Sequence, residues 1–425
     1  MKTVPQKSPF TPAEHVGITL AMGLMGMYFW AIRGTGGYGG APGAVVAGLG
    51  WALLWQLFSS VGAARAGTPP RSPWILAALI LGVGVGGMTG YGVYTAWVRG
   101  EFFLNHPDSM RPVAPWTGYA MLFVCGLHWG GVAGTFLAWA LAGPVSRKTW
   151  ILRIASGVAG ALLAVLFVSR LPQLFLPFHA EGIYLDPANE TCGRAAESMI
   201  TVFAHVGLFL GFLACEAARG NRRGAVLMLF VALGFALPFA VGGYWHTLRE
   251  LPLKLDWWKN WEMSIGLGGG LTFGGVFWAV HREPAPARTR SDVPRFVLVL
   301  LGLVLFVAVR GAVKGVMEHK ELDPKALAGG LVFAALMLGA LGFFLHRAAA
   351  RYREGFLSQL PAGALLAGLG VICLCGYAVT LPGDPSTGRS FLLAVYTGDV
   401  LAGGLILLGV LHGGRGAPPS APNPR

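Results

Sequence analysis

Long apolar stretches, separated by short polar segments, follow one another along almost the whole chain of 425 residues. A helix that crosses a bilayer needs about 20 mostly apolar residues, and about 12 of the stretches reach that length. The pattern therefore predicts an all-α, polytopic integral membrane protein with about 12 transmembrane helices. The predicted spans are Val16–Ile32, Gly43–Ala63, Trp74–Val98, Trp116–Ala142, Thr149–Ser169, Ser198–Ala217, Gly224–Trp245, Trp261–His281, Arg295–Val313, Ala326–His346, Pro361–Thr380 and Phe391–His412.

The even number of spans allows two halves of six. We expect an N-terminal cytoplasmic segment at 1–15, one half at 16–217, a second half at 224–412 and a disordered cytoplasmic tail at 413–425. Short motifs in the two halves echo each other, although short glycine-rich spans also match by chance. The layout is compatible with a six-plus-six pseudo-repeat, a construction that several transporters use.

Composition supports the membrane class, because 54% of the residues are hydrophobic, 12% are charged and the mean hydropathy is +0.60. The net charge of +13 comes from Lys and Arg spread along short loops, which is not the pattern of a nucleic-acid surface. If the N-terminus is cytoplasmic, every cytoplasmic connection carries at least two Lys or Arg. An excess of basic residues on one side orients a membrane protein. We therefore expect both termini in the cytoplasm and the spans in the inner (cell) membrane.

Arg33 immediately precedes the glycine-rich segment Gly34–Gly43. Glycine and proline at this density do not make a stable continuous helix, so we expect broken or re-entrant backbone there. Backbone of that kind is tolerated only beside protein or water, and free helix N–H groups beside a guanidinium would bind an anion. The alternative interpretation is a tight outer hairpin that holds Arg33 at the level of the lipid headgroups.

Trp258, Trp261 and Glu262 form a second candidate substrate-binding group. Tryptophans at this density suit stacking on a flat ligand, and they equally suit an aromatic belt at the membrane interface. Glu262 follows Lys259 by three residues, so the two side chains can pair on one helical face.

Three further polar residues lie deep inside predicted spans, namely His128, His205 and Asp399. An aspartate at the centre of a transmembrane helix costs a few kcal/mol, so Asp399 should face a partner or water, with His205 or Arg310 as the natural partner. A His/Asp set is typical of proton relays, which makes Asp399 and His205 candidates for proton or ion coupling. His128 is a candidate substrate-binding residue, and the alternative for a membrane histidine is hydrogen-bonded packing.

Three functions are compatible with these residues. The first is a secondary transporter or permease for a small polar or anionic solute, with proton coupling as an option. The second is a membrane enzyme for a lipid-linked or sugar substrate, using Glu262, His128 or His179 as acid or base. The third is a structural subunit of a membrane complex. The spacing of residues predicts no metal and no cofactor, and the expected partners are membrane lipids and a small molecule rather than nucleic acid.

The layout of the predicted spans, with both termini inside, resembles the architecture of the major facilitator class of transporters. In that class, the loop after the second span carries glycine, aspartate and several arginines. The corresponding loop here, Val61–Arg71, contains glycine and arginine but no aspartate. The resemblance therefore extends to architecture alone.

The predicted topology can be tested by reporter fusions. Fusions placed after Arg222, Arg288 and Arg351 should report a cytoplasmic position, because these residues lie in three basic connections on the same predicted side. An external position for any one of the three would contradict the arrangement of the spans.

Overall fold

The computed structural model describes residues 8–33, 41–66, 74–87, 92–142, 145–282, 362–380 and 389–412. These residues form long helices with one small antiparallel hairpin, in which strands β1 (Glu101–Phe103) and β2 (Met110–Pro112) pair. The helices are α1 (Pro12–Arg33), α2 (Ala41–Ala66), α3 (Trp74–Gly86), α4 (Tyr94–Val98), α5 (Pro115–Ala142), α6 (Arg147–Arg170), α7 (Glu190–Ala218), α8 (Arg222–Gly242), α9 (Trp257–His281), α10 (Ala362–Thr380) and α11 (Arg389–His412).

Within the described residues, eight helices are long and apolar enough to cross a membrane. This confirms a helical, multipass membrane protein, whereas the described part of the chain does not establish the predicted count of about 12 spans. The predicted spans Arg295–Val313 and Ala326–His346 lie outside the described residues. The prediction of one span over Trp74–Val98 is wrong, because α3 ends at Gly86 and α4 begins only at Tyr94.

The interruption after α3 has a local cause. Gly86 and Gly87 stand at the end of the helix, and glycine is the residue that loses most conformational entropy in a helix. Gly86 also packs so closely on α5 that an added Cβ would lie 2.6 Å from the carbonyl oxygen of Trp129. The glycines that end the helix therefore also allow α3 and α5 to approach each other.

Helices α1 and α9 run antiparallel and touch through glycines at intervals of four residues. Gly266, Gly270 and Gly274 of α9 lie against the backbone of Gly26, Met22 and Thr19 of α1 in turn, without room for a Cβ between them. Small residues at this spacing let helix backbones meet closely in a membrane, where dispersion contacts rather than hydrophobic burial drive helix association.

Two other helix pairs also pack closely through glycines. In α5, Gly126, Gly130 and Gly134 lie against the backbone of α8, and in the second pair Gly160 of α6 meets Gly207 of α7. Around these contacts the core is aromatic, with Trp30, Trp51, Trp129, Phe235 and Phe273 packed edge to face or tilted against one another.

The helices divide into inner and peripheral ones. In the most apolar stretch of 18 residues of α2 and of α5, 72% of the residues are buried, whereas in the corresponding stretch of α6 the share is 17%. The exposed side chains of α6 include Ile151, Leu162, Leu163 and Phe167. Since α6 and α11 present apolar side chains outwards, these peripheral helices form the surface that lipid would cover.

One end of the bundle carries a cap built from residues 92–114, 171–189 and 243–256. We call this the capped end, and α1 finishes there at Arg33. The hairpin is tied to the start of α7, since Thr191 N–H donates to Leu104 O at 3.2 Å. Arg111 forms a bidentate pair with Glu181 at 2.7 and 2.9 Å, and these hydrogen bonds hold the pKa of the exposed Glu181 carboxyl below its ordinary value.

The glycine contacts predict a sharp difference between two neighbouring positions of α9. Gly270→Ala places a methyl group against the Met22 carbonyl, whereas Gly275→Ala places it 3.5 Å from the ring of Phe230. We expect Gly270→Ala to lower the free energy of unfolding by about 1–3 kcal/mol because the helices must separate. Gly275→Ala should be neutral or slightly stabilising. Thermal unfolding in detergent measures both, and equal midpoints for the two variants would contradict the packing.

Candidate functional site

Three charged side chains of α1 and α9 meet beneath the cap. Arg33 Nη2 lies 3.3 Å from Glu262 Oε1, and Lys259 Nζ lies 2.6 Å from Glu262 Oε2. The side chains of Arg33 and Glu262 are 2% and 1% exposed, and that of Lys259 is 10% exposed. One buried carboxylate therefore bridges two cations, and we call these three residues the charged cluster.

The ends of two helices position the charged cluster. Arg33 is the last residue of α1, and α9 begins two residues before Lys259 with Asp256 as its N-cap, whose carboxylate accepts from Lys259 N–H at 3.0 Å. Lys259 and Glu262 then pair across one helical turn. The Lys259 ammonium also donates to the Ala31 carbonyl, in the last turn of α1, at 2.8 Å.

Tryptophans line the charged cluster. The guanidinium of Arg33 lies 5.1 Å from the Trp30 ring centroid and 5.0 Å from that of Trp129, within cation–π range. Trp258 Nε1–H donates to Glu262 Oε1 at 3.2 Å. The structure therefore brings Arg33, Trp258 and Glu262 of the sequence-based candidates into contact, and it adds Lys259, Trp30 and Trp129.

Trp261 and His246 lie next to this group. Trp261 is fully buried and donates to the Phe239 carbonyl at 2.9 Å, so its indole is held in the helix interface. The ring of His246 lies 5.4 Å from Trp258 and 5.1 Å from Trp261, and no described residue forms a hydrogen bond with its buried Nε2. The sequence analysis missed His246, because its position in a turn after α8 carries no motif.

His128 and His205 form a separate pair on α5 and α7. Their ring centroids are 5.5 Å apart, and Nδ1 of each ring lies in hydrogen-bond range of the carbonyl four residues earlier. His128 is fully buried. The adjacent Trp129 faces Arg33, so the His128–His205 pair is connected to the charged cluster through one tryptophan.

Asp399 lies apart from both groups, on the face of α11 that packs against α1. It is 7% exposed, and its buried Oδ2 has no hydrogen-bond partner in the part of the chain that the structure describes. The expected pairing of Asp399 with His205 is wrong, because α7 packs on α5 and α6 and brings His205 to His128 instead. The other expected partner, Arg310, lies outside the described residues.

The glycine-rich segment after Arg33 is described only in part. Residues 34–40 lie outside the described residues. Ala41, Pro42 and Gly43 already belong to α2, so this helix begins two residues before the predicted second span at Gly43, and the predicted break in the helix lies outside the described residues. Proline is compatible with the first turn of a helix, where its missing N–H has no intrahelical partner to lose, and this explains a helical start at this point.

A second buried ion pair joins α6 and α7 at the opposite end of the bundle. Arg153 Nε lies 2.6 Å from Glu216 Oε1, and Trp139 and Asn221 also donate to the Glu216 carboxylate, at 3.1 and 2.6 Å. Here one cation meets one carboxylate, so the pair is neutral and locks two helices together. The charged cluster differs from it in carrying one cation more than its carboxylate balances.

No protein-family model matches the chain, and neither the search of curated proteins nor that of solved structures finds a match. Within the described residues, no group of three or more His, Cys, Asp or Glu side chains could hold a metal ion.

The shared carboxylate predicts an unequal response to neutralising substitutions. Glu262→Gln leaves two buried cations together, and we expect it to lower the free energy of unfolding by about 3–5 kcal/mol. Adding Lys259→Met to Glu262→Gln should recover part of that loss, because one of the two cations is then absent. Glu197→Gln, at an exposed carboxyl of α7, is the matched control. A Glu262→Gln protein as stable as Glu197→Gln would show that the three charges do not interact.

Proposed function

We propose that the protein is a secondary transporter for a small anionic solute, with Arg33, Lys259 and Glu262 at the centre of the solute site. The observation that supports this most is the charge of the cluster, in which two buried cations share one carboxylate. Among the described residues, Glu262 is the one carboxylate that pairs with both cations, and the N-cap carboxylate of Asp256 lies one turn from Lys259. A small anion bound beside Lys259 and Arg33 would pair with the cation that has to share Glu262, so the site favours anions over cations.

The hydrogen bonds of Lys259 indicate where the anion binds. An ammonium has three N–H donors, and two of them go to Glu262 and to the Ala31 carbonyl. No other described residue accepts the third donor, which is where a ligand would bind, and Lys259 is the most exposed of the three charged side chains. Trp258 stands beside it and offers an aromatic surface to the organic part of a solute.

The remaining candidates take supporting roles in this proposal. His128 contacts Trp129 and thereby borders the solute site. Asp399 and His205 are proposed as the proton-coupling residues, because both lie within long apolar helices away from the ends. The capped end is proposed to face away from the cytoplasm, which follows from the basic connections at the opposite end.

A second candidate is a membrane enzyme for a lipid-linked substrate, and one observation favours it. The charged cluster lies in the last turn of α1 and the first turns of α9, close to one end of the bundle rather than at its centre. His179 of the cap, stacked on Tyr184 at 5.8 Å, would then be an acid or base. Under the transporter proposal, His179→Ala leaves anion binding unchanged.

Anion binding tests the proposal on the purified protein. Chloride, nitrate, phosphate, acetate and succinate are compared for their effect on thermal unfolding, because a ligand at 100 times its Kd stabilises by about 2.7 kcal/mol. We expect at least one anion to raise the midpoint, and Lys259→Met to abolish that rise. Lys254→Met, at an exposed lysine five residues earlier, should retain it.

Uptake of the stabilising anion into proteoliposomes then distinguishes transport from binding alone. Uptake that Lys259→Met abolishes and Lys254→Met retains supports the transporter. The proposal fails if none of the anions stabilises the protein, or if the two lysine variants respond alike.

A further inference from the structure

Two polar side chains on one face of α11 are buried and have atoms without a hydrogen-bond partner among the described residues. Asp399 is 7% exposed and the atom is its Oδ2, while Tyr396 is fully buried and the atom is its hydroxyl oxygen. The two residues are three positions apart, so their side chains are neighbours on the helix surface. A buried polar group without a partner costs free energy, so this arrangement calls for an explanation.

These residues face α1 on the side opposite to α9. Tyr396 packs edge-on against Tyr28 with ring centroids 5.2 Å apart, and Gly403 one turn beyond Asp399 lies against Met25. The contacts with α9 are made by Thr19, Met22 and Gly26, which lie on the other side of the same helix. Helix α1 thus separates Asp399 from Lys259 and Glu262, while it touches both α9 and α11.

The polar groups that α1 and α10 bring to this side of α11 are tyrosine hydroxyls within the described residues. Tyr28 of α1 donates to the Cys373 carbonyl of α10, and Tyr377 of α10 donates to Thr397 at 3.0 Å. The Tyr396 hydroxyl lies within Coulomb range of Asp399, Glu262 and Asp256. Among the described residues, no Lys, Arg or His forms an ion pair with Asp399. A carboxylate at this depth needs either a cation or a proton.

We propose that Asp399 is a proton-binding site and that Tyr396 is its positioning residue. On binding, a carboxylate oxygen forms an O–H bond with a proton taken from water, and on release the same bond breaks and the proton returns to water. When Asp399 is ionised, the Tyr396 hydroxyl donates to the carboxylate. When Asp399 is protonated, its O–H donates to the Tyr396 oxygen, so a side-chain rotation satisfies both groups in either state.

The number of oxygens favours a proton over a metal cation. Asp399 and Tyr396, three residues apart on α11, carry three side-chain oxygens between them, two of which are buried without a partner among the described residues. Hard metal cations take about six or more oxygen ligands. A proton needs only one oxygen and a hydrogen-bond partner, which is what the pair supplies.

Helix α1 contacts both the proton site at Asp399 and the charged cluster. Tyr28 and Arg33 are five residues apart on α1, and Lys259 holds the carbonyl of Ala31 between them. A change in the contact between Tyr396 and Tyr28 therefore acts on the helix that carries Arg33. This coupling rests on the proposed function, whereas the proton site stands without it.

Infrared difference spectroscopy of the purified full-length protein, titrated with acid, tests the proton site. A protonated carboxyl has a C=O stretch that an ionised one lacks. We expect one such band from a water-shielded carboxyl to be present in the wild type and absent in Asp399→Asn. Tyr396→Phe should keep the band and shift its frequency, because the hydroxyl neighbour is gone. Glu197→Gln, at an exposed carboxyl, should leave the band unchanged.

Several results of the infrared titration would overturn the proposal. A wild-type spectrum with no band that depends on Asp399 rejects the proton site, and a band that Tyr396→Phe leaves unmoved rejects the role of Tyr396. Where Asp399→Asn does not fold, Asp399→Glu keeps the carboxyl and must move the band. A titration that requires Na⁺ and shows no carboxyl band would indicate a metal cation instead, and would also reject the proposal.

Coupling is measured separately, so that its failure is distinguishable from failure of the solute site. Anion stabilisation is measured at several pH values in wild type and in Asp399→Asn. In wild type we expect the Kd of the anion to change at least about tenfold across this pH range, which corresponds to about 1.4 kcal/mol. In Asp399→Asn we expect this change with pH to be lost while anion binding itself persists. Loss of anion binding in Lys259→Met with an intact Asp399 band shows two sites, and unchanged pH dependence in Asp399→Asn rejects their coupling.

Discussion

The close contact between α1 and α9 is the interaction on which the rest of the structure depends. Gly266, Gly270 and Gly274 of α9 lie directly on the backbone of α1 over about 2.5 turns, and this short distance brings Arg33 within reach of Glu262. It also places the Ala31 carbonyl where Lys259 can bind it. A methyl group at any of these glycines would push the helices apart and separate the charges. The ion pairs between α1 and α9 therefore depend on the close packing of the two helices.

The two ion clusters are both buried, and they differ in how their charges are balanced. Removing one partner from a buried pair costs about 3–5 kcal/mol, so both clusters hold their helices together. Arg153 and Glu216 form a neutral pair that is surrounded by Trp139, Trp150 and Asn221. Holding α6 and α7 together is therefore a sufficient role for this pair. In the charged cluster two cations share the Glu262 carboxylate, and the described residues accept two of the three ammonium donors of Lys259. This difference, rather than burial alone, makes it the candidate site.

Much of the helical pattern could be predicted, because apolar length alone determines where a helix can span. The Lys259–Glu262 contact was also predictable, since it is local to one helix. The His128–His205 pair, the position of Asp399 against α1 and the Arg153–Glu216 bridge were not. They depend on which helices pack together, and glycine spacing shows that a helix has a close neighbour without showing which one. The break after Gly86 was missed because an apolar run was taken as one span.

The central claim is that the charged cluster is an anion site and not a sealed ion pair. The most direct measurement is an experimental structure of the purified protein with a heavy anion such as bromide or selenate, located by its anomalous scattering. The account predicts an anion peak within hydrogen-bond distance of Lys259 Nζ, next to Arg33, and its absence in Lys259→Met. Anion peaks confined to exposed basic residues such as Lys148 and Arg222, with the cluster closed around Glu262, would contradict it.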